Sequence, residues 1–308
     1  MRSIWRPTTR VALPTLEPGG AGAEAHAYNE QWSPAKFPKH WTNPDVRGAL
    51  YAFQGHVCGY CGTNLPRNDR GDVEHFRPKS KYWWLAYALS NYVMSCSRCN
   101  RELKKSKFPL RRGASPVSYE HRAKLGKEAR LLLDPTVDPV EALIALDDKW
   151  LRPDPTIQGV EHTQVQGTIE LFRLNLDVPL VRERLAVFDA VIDAIEGGKP
   201  DEAQRLAIRF RPHSIVARAT LLGLGQPLPG PEQELSWQIE ELVTRLDGVM
   251  EMLVHEPDDE TNWSAQRELL WSLAVLAKYP MGLSREFVLE LLRSHAIEDE
   301  VQPYLEQL

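Results

Sequence analysis

The four cysteines of this 308-residue chain are its clearest candidates for chemistry. They form two C-x-x-C pairs, Cys58 with Cys61 and Cys96 with Cys99, and no cysteine lies elsewhere. Four thiolates are the ligand set of a closed tetrahedral structural zinc site. Paired C-x-x-C motifs in a large chain without a secretory signal favour a metal over disulfides. The pattern predicts a structural Zn²⁺ with no open position, so we expect this zinc to take no part in catalysis.

Acid–base chemistry lies in the gap of 34 residues between the two pairs. Glu74 and His75 are adjacent there, and Asn100 directly follows the second pair. Carboxylate and amide oxygens suit Mg²⁺, and a neutral imidazole beside such an ion takes a proton from an attacking water. Together the three residues predict a one-metal phosphodiesterase in which Glu74 and Asn100 hold a catalytic Mg²⁺ or Mn²⁺.

Two short strands and a helix must position these side chains. The sequence predicts strands at residues 71–76 and 92–95 and a helix from 96 or 97 to about 107, which Pro109 ends. Between the strands, Trp83 and Trp84 belong to an aromatic run. Packing beneath the site is the favoured interpretation, and stacking on nucleic-acid bases is the alternative.

The charge is divided along the chain. Residues 1–130 hold 22 Lys and Arg against 10 Asp and Glu, a net charge of +12, and residues 131–308 hold 15 against 32, a net charge of −17. A basic half that carries the cysteine motif predicts a polyanionic substrate. Four basic residues near the motif are assigned to DNA phosphate contacts rather than to a solvated surface: Arg77, Lys79, Arg98 and Lys104. The acidic half is either ordinary solvated helix surface or, as our hypothesis, a scaffold that docks a partner.

The chain divides into four predicted segments. They are an irregular, Pro- and Gly-rich arm at 1–42, a nuclease domain at 43–130, a helical scaffold at 131–224 and a C-terminal helical extension at 225–308. The fold class is mainly α with a small α+β part. Residues 131–136 are predicted as a strand-like run and turn, and residues 150–156 as a loop. Helices are predicted at 43–54, 160–174, 179–196, 200–210, 213–223, 232–254, 262–278, 284–294 and 298–307.

The order of the central motifs resembles the HNH endonuclease family, which has a ββα-metal finger, here stapled by zinc and embedded in the helical scaffold. The resemblance implies a catalytic role for four residues. His75 matches the general base, Glu74 the acidic metal ligand, Asn91 the residue that orders the loop, and Asn100 the closing position of the motif. Glu74 stands where Asp is more frequent, and Asn100 where His is an alternative.

A narrower resemblance extends over roughly residues 45–195. The motifs that carry it are Glu74-His75-Phe76-Arg77-Pro78-Lys79, Lys107-Phe108-Pro109-Leu110, Leu131-Leu132-Leu133-Asp134-Pro135-Thr136 and Thr168-Ile169-Glu170-Leu171-Phe172-Arg173-Leu174-Asn175. They resemble the PtuB-type HNH proteins of anti-phage systems. This resemblance implies a DNA endonuclease that acts beside an ABC-type, SMC-like ATPase.

The remaining sequence features limit the alternatives. No apolar run approaches the roughly 18 residues of a membrane span, and the N-terminus has no apolar signal core, so we expect a cytoplasmic location. No phosphate-binding Gly-Lys-Ser/Thr loop is present, so nucleotide hydrolysis would come from a partner. The competing hypothesis is a non-catalytic zinc module that binds nucleic acid or protein. A module of that kind has no use for Glu74, His75 and Asn100 together.

Overall fold

The computed structural model describes residues 13–16, 38–65, 71–147, 150–280 and 283–308. Most of the predicted arm at 1–42 lies outside these residues. The described part is mainly helical and carries two small antiparallel sheets of two strands each, which confirms the predicted fold class. None of its helices combines the length and apolarity needed to cross a bilayer.

The bounds of the elements follow the chain order. The strands are β1 Asp72–His75, β2 Tyr92–Ser95, β3 Ile144–Asp147 and β4 Trp150–Pro153. The α-helices are α1 Pro44–Gln54, α2 Val140–Leu143, α3 Gly159–Leu171, α4 Val178–Glu196, α5 Pro200–Leu206, α6 Ser214–Gly223, α7 Pro231–His255, α8 Glu260–Lys278, α9 Arg285–Ser294 and α10 Glu298–Gln307. Short 3-10 segments are Pro14–Leu16, His40–Thr42, Trp83–Leu85, Leu89–Asn91 and Tyr119–Lys127. The chain forms two compact units, one built mainly from residues 56–228 and the other, in the described residues, from 13–16, 38–55 and 229–308.

The first unit contains the ββα finger. Strands β1 and β2 pair antiparallel, with Glu74 opposite Val93 and His75 opposite Tyr92. A short helix, Arg98–Lys104, follows; we call it the finger helix. It is wound as a π-helix and ends at Lys105, whose φ is +52°. The two predicted strands are therefore present, and the finger helix is shorter at both ends than the sequence predicts.

A second hairpin, β3–β4, replaces the loop predicted at 150–156. The side-chain amide of Asn175 pairs with both backbone groups of Leu151, accepting from its N–H at 3.0 Å and donating to its carbonyl at 2.7 Å. The predicted strand-like run at 131–136 forms no strand. There, the N–H of Leu133 donates to the Thr168 hydroxyl at 2.8 Å, so a side chain satisfies backbone that a neighbouring strand would otherwise pair.

Helices α4, α5 and α6 form the helical scaffold of the first unit. Asp177 caps α4 by accepting from the N–H of Leu180 at 3.0 Å, and Pro179 occupies the first turn. The three helices pack around a cluster of small apolar side chains: Val191, Ala194, Ala203, Ala207, Ala217 and Leu221. The small size of these residues lets the short helices approach closely.

The second unit surrounds α1. Every residue of this helix from Asp45 to Gln54 is buried, and its main neighbour is α8. Arg47 donates to Glu268 at 2.8 Å, and both side chains are buried. The sequence analysis places residues 43–54 at the start of the nuclease domain, whereas α1 packs among the C-terminal helices instead. That contact joins residues 221 positions apart, which no local pattern reveals.

The contact of α1 with α8 gives a stability prediction at Gly48. A Cβ added there would lie 2.4 Å from the Cβ of Trp271 and 2.6 Å from the backbone oxygen of Glu268. We expect Gly48→Ala to lower the free energy of unfolding by about 1–3 kcal/mol through overpacking, despite the better helix propensity of alanine. Urea unfolding measures this, with Gly223→Ala as the control because its Cβ would meet nothing within 4 Å. Equal stability of the two variants would contradict the close packing.

Candidate active site

The four cysteines converge on one point. Their sulfur atoms all lie within 4.8 Å of one another, and the Sγ atoms of Cys61 and Cys96 are 3.8 Å apart. Tetrahedral zinc with bonds of about 2.3 Å requires sulfur separations of about 3.8 Å, so the donor set fits Zn²⁺. Burial raises the pKa of the Cys58 thiol, whereas hydrogen bonds from neighbouring thiols lower the pKa of Cys61. The predicted ligand set is therefore assembled.

Both sequence neighbours and the helical scaffold hold the first cysteine pair in place. The N–H of Gly62 donates to the carbonyl of Cys58 at 3.0 Å, and its φ of +83° favours glycine. Tyr60 stacks on Phe172, with ring centroids 4.3 Å apart. The N–H of His213 donates to the carbonyl of Gly62 at 3.0 Å. Phe172 belongs to the motif at 168–175, so part of that motif builds the metal site.

His75 lies at the end of β1 and is 7% exposed. Its Nε2 lies 2.9 Å from the carbonyl oxygen of Ala86, and its ring packs edge-on against Tyr92. A carbonyl only accepts, so Nε2 carries the proton and Nδ1 carries the lone pair of the neutral ring. Burial lowers the pKa of His75 to about 4, opposed by the bond to Ala86 and assisted by Lys79 and Lys104. The imidazole is neutral at physiological pH.

Asn91 fixes the loop that follows His75. Its Oδ1 accepts from the N–H of Arg77 at 2.8 Å, and its Nδ2 donates to the carbonyl of Arg77 at 3.0 Å and to that of Leu85 at 3.3 Å. The carbonyl of Asn91 accepts from the N–H of Phe76 at 2.8 Å. These bonds tie the residues directly after His75 to the start of β2, which limits how far the imidazole can move.

Glu74 faces the finger helix and is ion-paired with Lys104. Lys104 is completely buried, and it also donates to the carbonyl of His75 at 3.1 Å. Burial raises the pKa of Glu74, and the ammonium group of Lys104 opposes that rise. The sequence analysis makes Glu74 a metal ligand, whereas in the structure a buried ammonium ion already occupies one of its oxygens.

Asp72 is a site residue that the sequence analysis does not select. It lies two residues before Glu74 on β1, so both carboxylates are on the face towards the finger helix. Asn100 donates its Nδ2 to Asp72 at 3.0 Å, and Arg101 binds both carboxylate oxygens, at 2.7 and 2.5 Å. The i, i+2 spacing of two acidic residues on a predicted strand is the signal that could have revealed it.

The two carboxylates differ in how tightly their cations are held. The side chain of Arg101 is 69% exposed, whereas those of Lys104 and Glu74 are 0% and 7% exposed. Exposed ion pairs contribute about 0–1 kcal/mol, whereas removing one partner of a buried pair costs about 3–5 kcal/mol. A cation from solvent therefore displaces Arg101 from Asp72 far more easily than Lys104 from Glu74.

Three of the four residues assigned to DNA phosphates have carboxylate partners within the protein. Arg77 is buried and binds Glu128 at 3.0 Å, and Arg98 binds Asp177 at 2.8 Å. Lys104 is the partner of Glu74 described above. This departs from the sequence-based assignment, because each charged group is already neutralised in the described structure. For Lys79, which is half-buried, phosphate contact stays a prediction.

Comparisons with known proteins agree with this geometry. Residues 58–106, which hold both cysteine pairs, β1, β2 and the finger helix, match the family model described as HNH endonuclease. A zinc-stapled ββα finger of the HNH class is thus present in the chain. No solved structure matches the chain.

A curated relative narrows the class. The chain is 31% identical over 122 residues to the Septu protein PtuB of Bacillus mycoides (strain KBAB4), a match that covers 35% of this chain and 41% of the relative. The chain thus spans less than half the length of that relative. The two findings support an HNH protein of the PtuB type, as the sequence predicts.

Proposed function

We propose that the chain is a metal-dependent HNH endonuclease that hydrolyses phosphodiester bonds of DNA, with His75 as the general base. The observation that carries the proposal is the setting of His75 within the matched HNH segment. Its Nε2 donates to the Ala86 carbonyl, so Nδ1 is the nitrogen that accepts a proton. Its burial keeps the ring neutral. A buried, oriented, neutral imidazole is what proton abstraction from water requires.

The oxygen donors beside His75 fit a hard divalent cation such as Mg²⁺ or Mn²⁺. They are the carboxylates of Asp72 and Glu74 and the amide of Asn100, and the sequence favours Glu74 with Asn100. A divalent ion bound there would stabilise the charge that develops on the scissile phosphate. The protein's own part is to orient His75 through Ala86 and Asn91, so that Nδ1 takes the proton of the attacking water.

Plasmid nicking tests the proposal. Wild-type protein with Mg²⁺ or Mn²⁺ is expected to convert supercoiled DNA to nicked or linear forms, and His75→Ala to leave it intact. The ion pair of Glu74 with Lys104 favours a second candidate, the non-catalytic zinc module, because it engages the predicted metal ligand. The same assay separates the two, since a binding module retains DNA without cutting it.

The pKa of His75 gives a pH prediction for cleavage. Because its folded pKa is about 4, the base is active above that value and lost as the pH falls through it. We expect the single-turnover rate to show no loss attributable to His75 between pH 8 and 5.5. A histidine at the ordinary value of about 6.5 would be only about one-tenth neutral at pH 5.5 and would lower the rate about tenfold. Zinc retention is measured at each pH as a control, and a midpoint near 6.5 would contradict the assignment.

We further propose that the chain is the nuclease of an anti-phage defence complex in the cytoplasm, with an ABC-type, SMC-like ATPase as partner. The similarity to a Septu protein supports this, together with the sequence resemblance to PtuB-type proteins. The acidic C-terminal helices are the proposed docking surface. Co-purification with the ATPase tests the assignment, and complex formation by a chain truncated at Leu224 would contradict it.

A further inference from the structure

The geometry points to Asp72 and Asn100, rather than Glu74 and Asn100, as the oxygen pair that binds the divalent ion, with Arg101 as the side chain that the ion displaces. This inference rests on the proposed nuclease function and deepens it by naming the ligands. It also assigns a different task to Glu74, which holds Lys104 and positions the backbone of His75.

The spacing of Asp72 and Asn100 suits a shared ion. The terminal amide atom of Asn100 lies 3.0 Å from Oδ2 of Asp72. Adjacent oxygens of an octahedral Mg²⁺ with bonds of about 2.0–2.1 Å are separated by about 2.8–3.0 Å. Without an ion, the Asn100 nitrogen faces the carboxylate, because two acceptor oxygens would repel each other. With an ion bound, rotation of the amide about its terminal bond places Oδ1 there instead.

Accessibility separates the two carboxylates. Asp72 and Asn100 are half-buried, and the only described cation that binds both oxygens of Asp72 is the largely exposed Arg101. An ion from solvent therefore reaches this carboxylate by displacing a side chain that can move into water. Arg101 neutralises Asp72 until that exchange occurs.

Glu74 is held by a different arrangement. Its partner Lys104 is fully buried, and the same ammonium group donates to the carbonyl of His75 at 3.1 Å. Moving Lys104 aside would leave a buried ammonium without its carboxylate and would release the backbone of the general base. Glu74 therefore acts through Lys104 on the position of His75, as a positioning residue.

Calorimetric titration of Mn²⁺ into the zinc-loaded, full-length protein tests the ligand assignment. Loss of a carboxylate ligand in Asp72→Asn is expected to weaken Mn²⁺ binding about tenfold or more, equivalent to about 1.4 kcal/mol. Arg101→Gln removes the competing cation and is expected to tighten binding about threefold or more. The double variant Glu74→Gln, Lys104→Met removes the buried pair as a whole and is expected to stay within about threefold of wild type.

The opposite ranking would overturn the inference: Mn²⁺ binding lost with the Glu74 variants and retained in Asp72→Asn. Absence of Mn²⁺ binding by the wild type, at concentrations that support cleavage, would overturn it equally. Zinc content and circular dichroism confirm that each variant is folded, and the single variant Glu74→Gln is compared with the double variant if one of them fails this check. Plasmid cleavage by the wild type in the same Mn²⁺ buffer is measured in parallel. Cleavage combined with the opposite ranking rejects only the ligand assignment, whereas no cleavage rejects the proposed function.

Discussion

Replacing His75 with alanine is expected to lower the rate of plasmid cleavage about 10²- to 10⁴-fold, the range for loss of a general base. The proposed base nitrogen is Nδ1, because Nε2 donates to the carbonyl of Ala86. Alanine removes the proton acceptor and leaves the zinc ligands and the proposed metal ligands in the chain. We therefore expect DNA binding, measured by fluorescence anisotropy, to stay close to the wild-type value while cleavage is lost.

His121→Ala is the matched control for this substitution. His121 is exposed, outside the finger, and bonded through Nδ1 to the Ser118 hydroxyl at 3.1 Å. Its replacement is expected to leave the cleavage rate unchanged. Equal cleavage by His75→Ala and the wild type would rule out His75 as the base. No cleavage by any of the proteins, even with the candidate ATPase present, would favour the non-catalytic zinc module.

The sequence could predict those parts of the site whose chemistry depends on neighbours along the chain. Each C-x-x-C pair brings two thiolates to one turn, and four thiolates together predict one metal site. The strand predictions at 71–76 and 92–95 contain the observed β1 and β2, because alternation and flanking loops are local signals. Asn91 lies at the start of β2, and its bonds across the loop reach only as far as Phe76 and Arg77.

The environment of charged residues could not be predicted in the same way. Lys104 belongs to a lysine-rich run that is typical of a solvated surface, but its carboxylate partner is 30 residues earlier in the chain. The partner of Arg77 is 51 residues later. Side-chain type gives the charge of such residues, whereas burial and pairing follow from tertiary contacts. The β3–β4 hairpin was missed for the same reason, because Asn175 lies 24 residues from the backbone it supports.

Loss of one zinc ligand is expected to have the largest effect on folding. Structural Zn²⁺ binding contributes about 10–16 kcal/mol in small zinc domains at pH 7, far more than a hydrophobic contact within the finger. We expect Cys58→Ser to abolish zinc retention and to expose the backbone amides of β1, β2 and the finger helix to rapid hydrogen exchange. Extraction of zinc from the wild type by a strong chelator should reproduce this change. Removal of Mg²⁺ should only stop cleavage, because the proposed second ion does not hold the cysteines together.

Ser95→Ala is the control for this experiment, because it alters a buried polar atom directly beside a zinc ligand. The Ser95 hydroxyl is buried and has no hydrogen-bond partner within the described residues. Its removal is expected to change stability by less than about 1 kcal/mol, since no hydrogen bond is lost. An unchanged melting transition in Cys58→Ser would show that the four thiols do not hold a structural ion. A large loss in Ser95→Ala would show that the finger responds to any buried change, so that only the pair of results together assigns the stability of the fold to zinc.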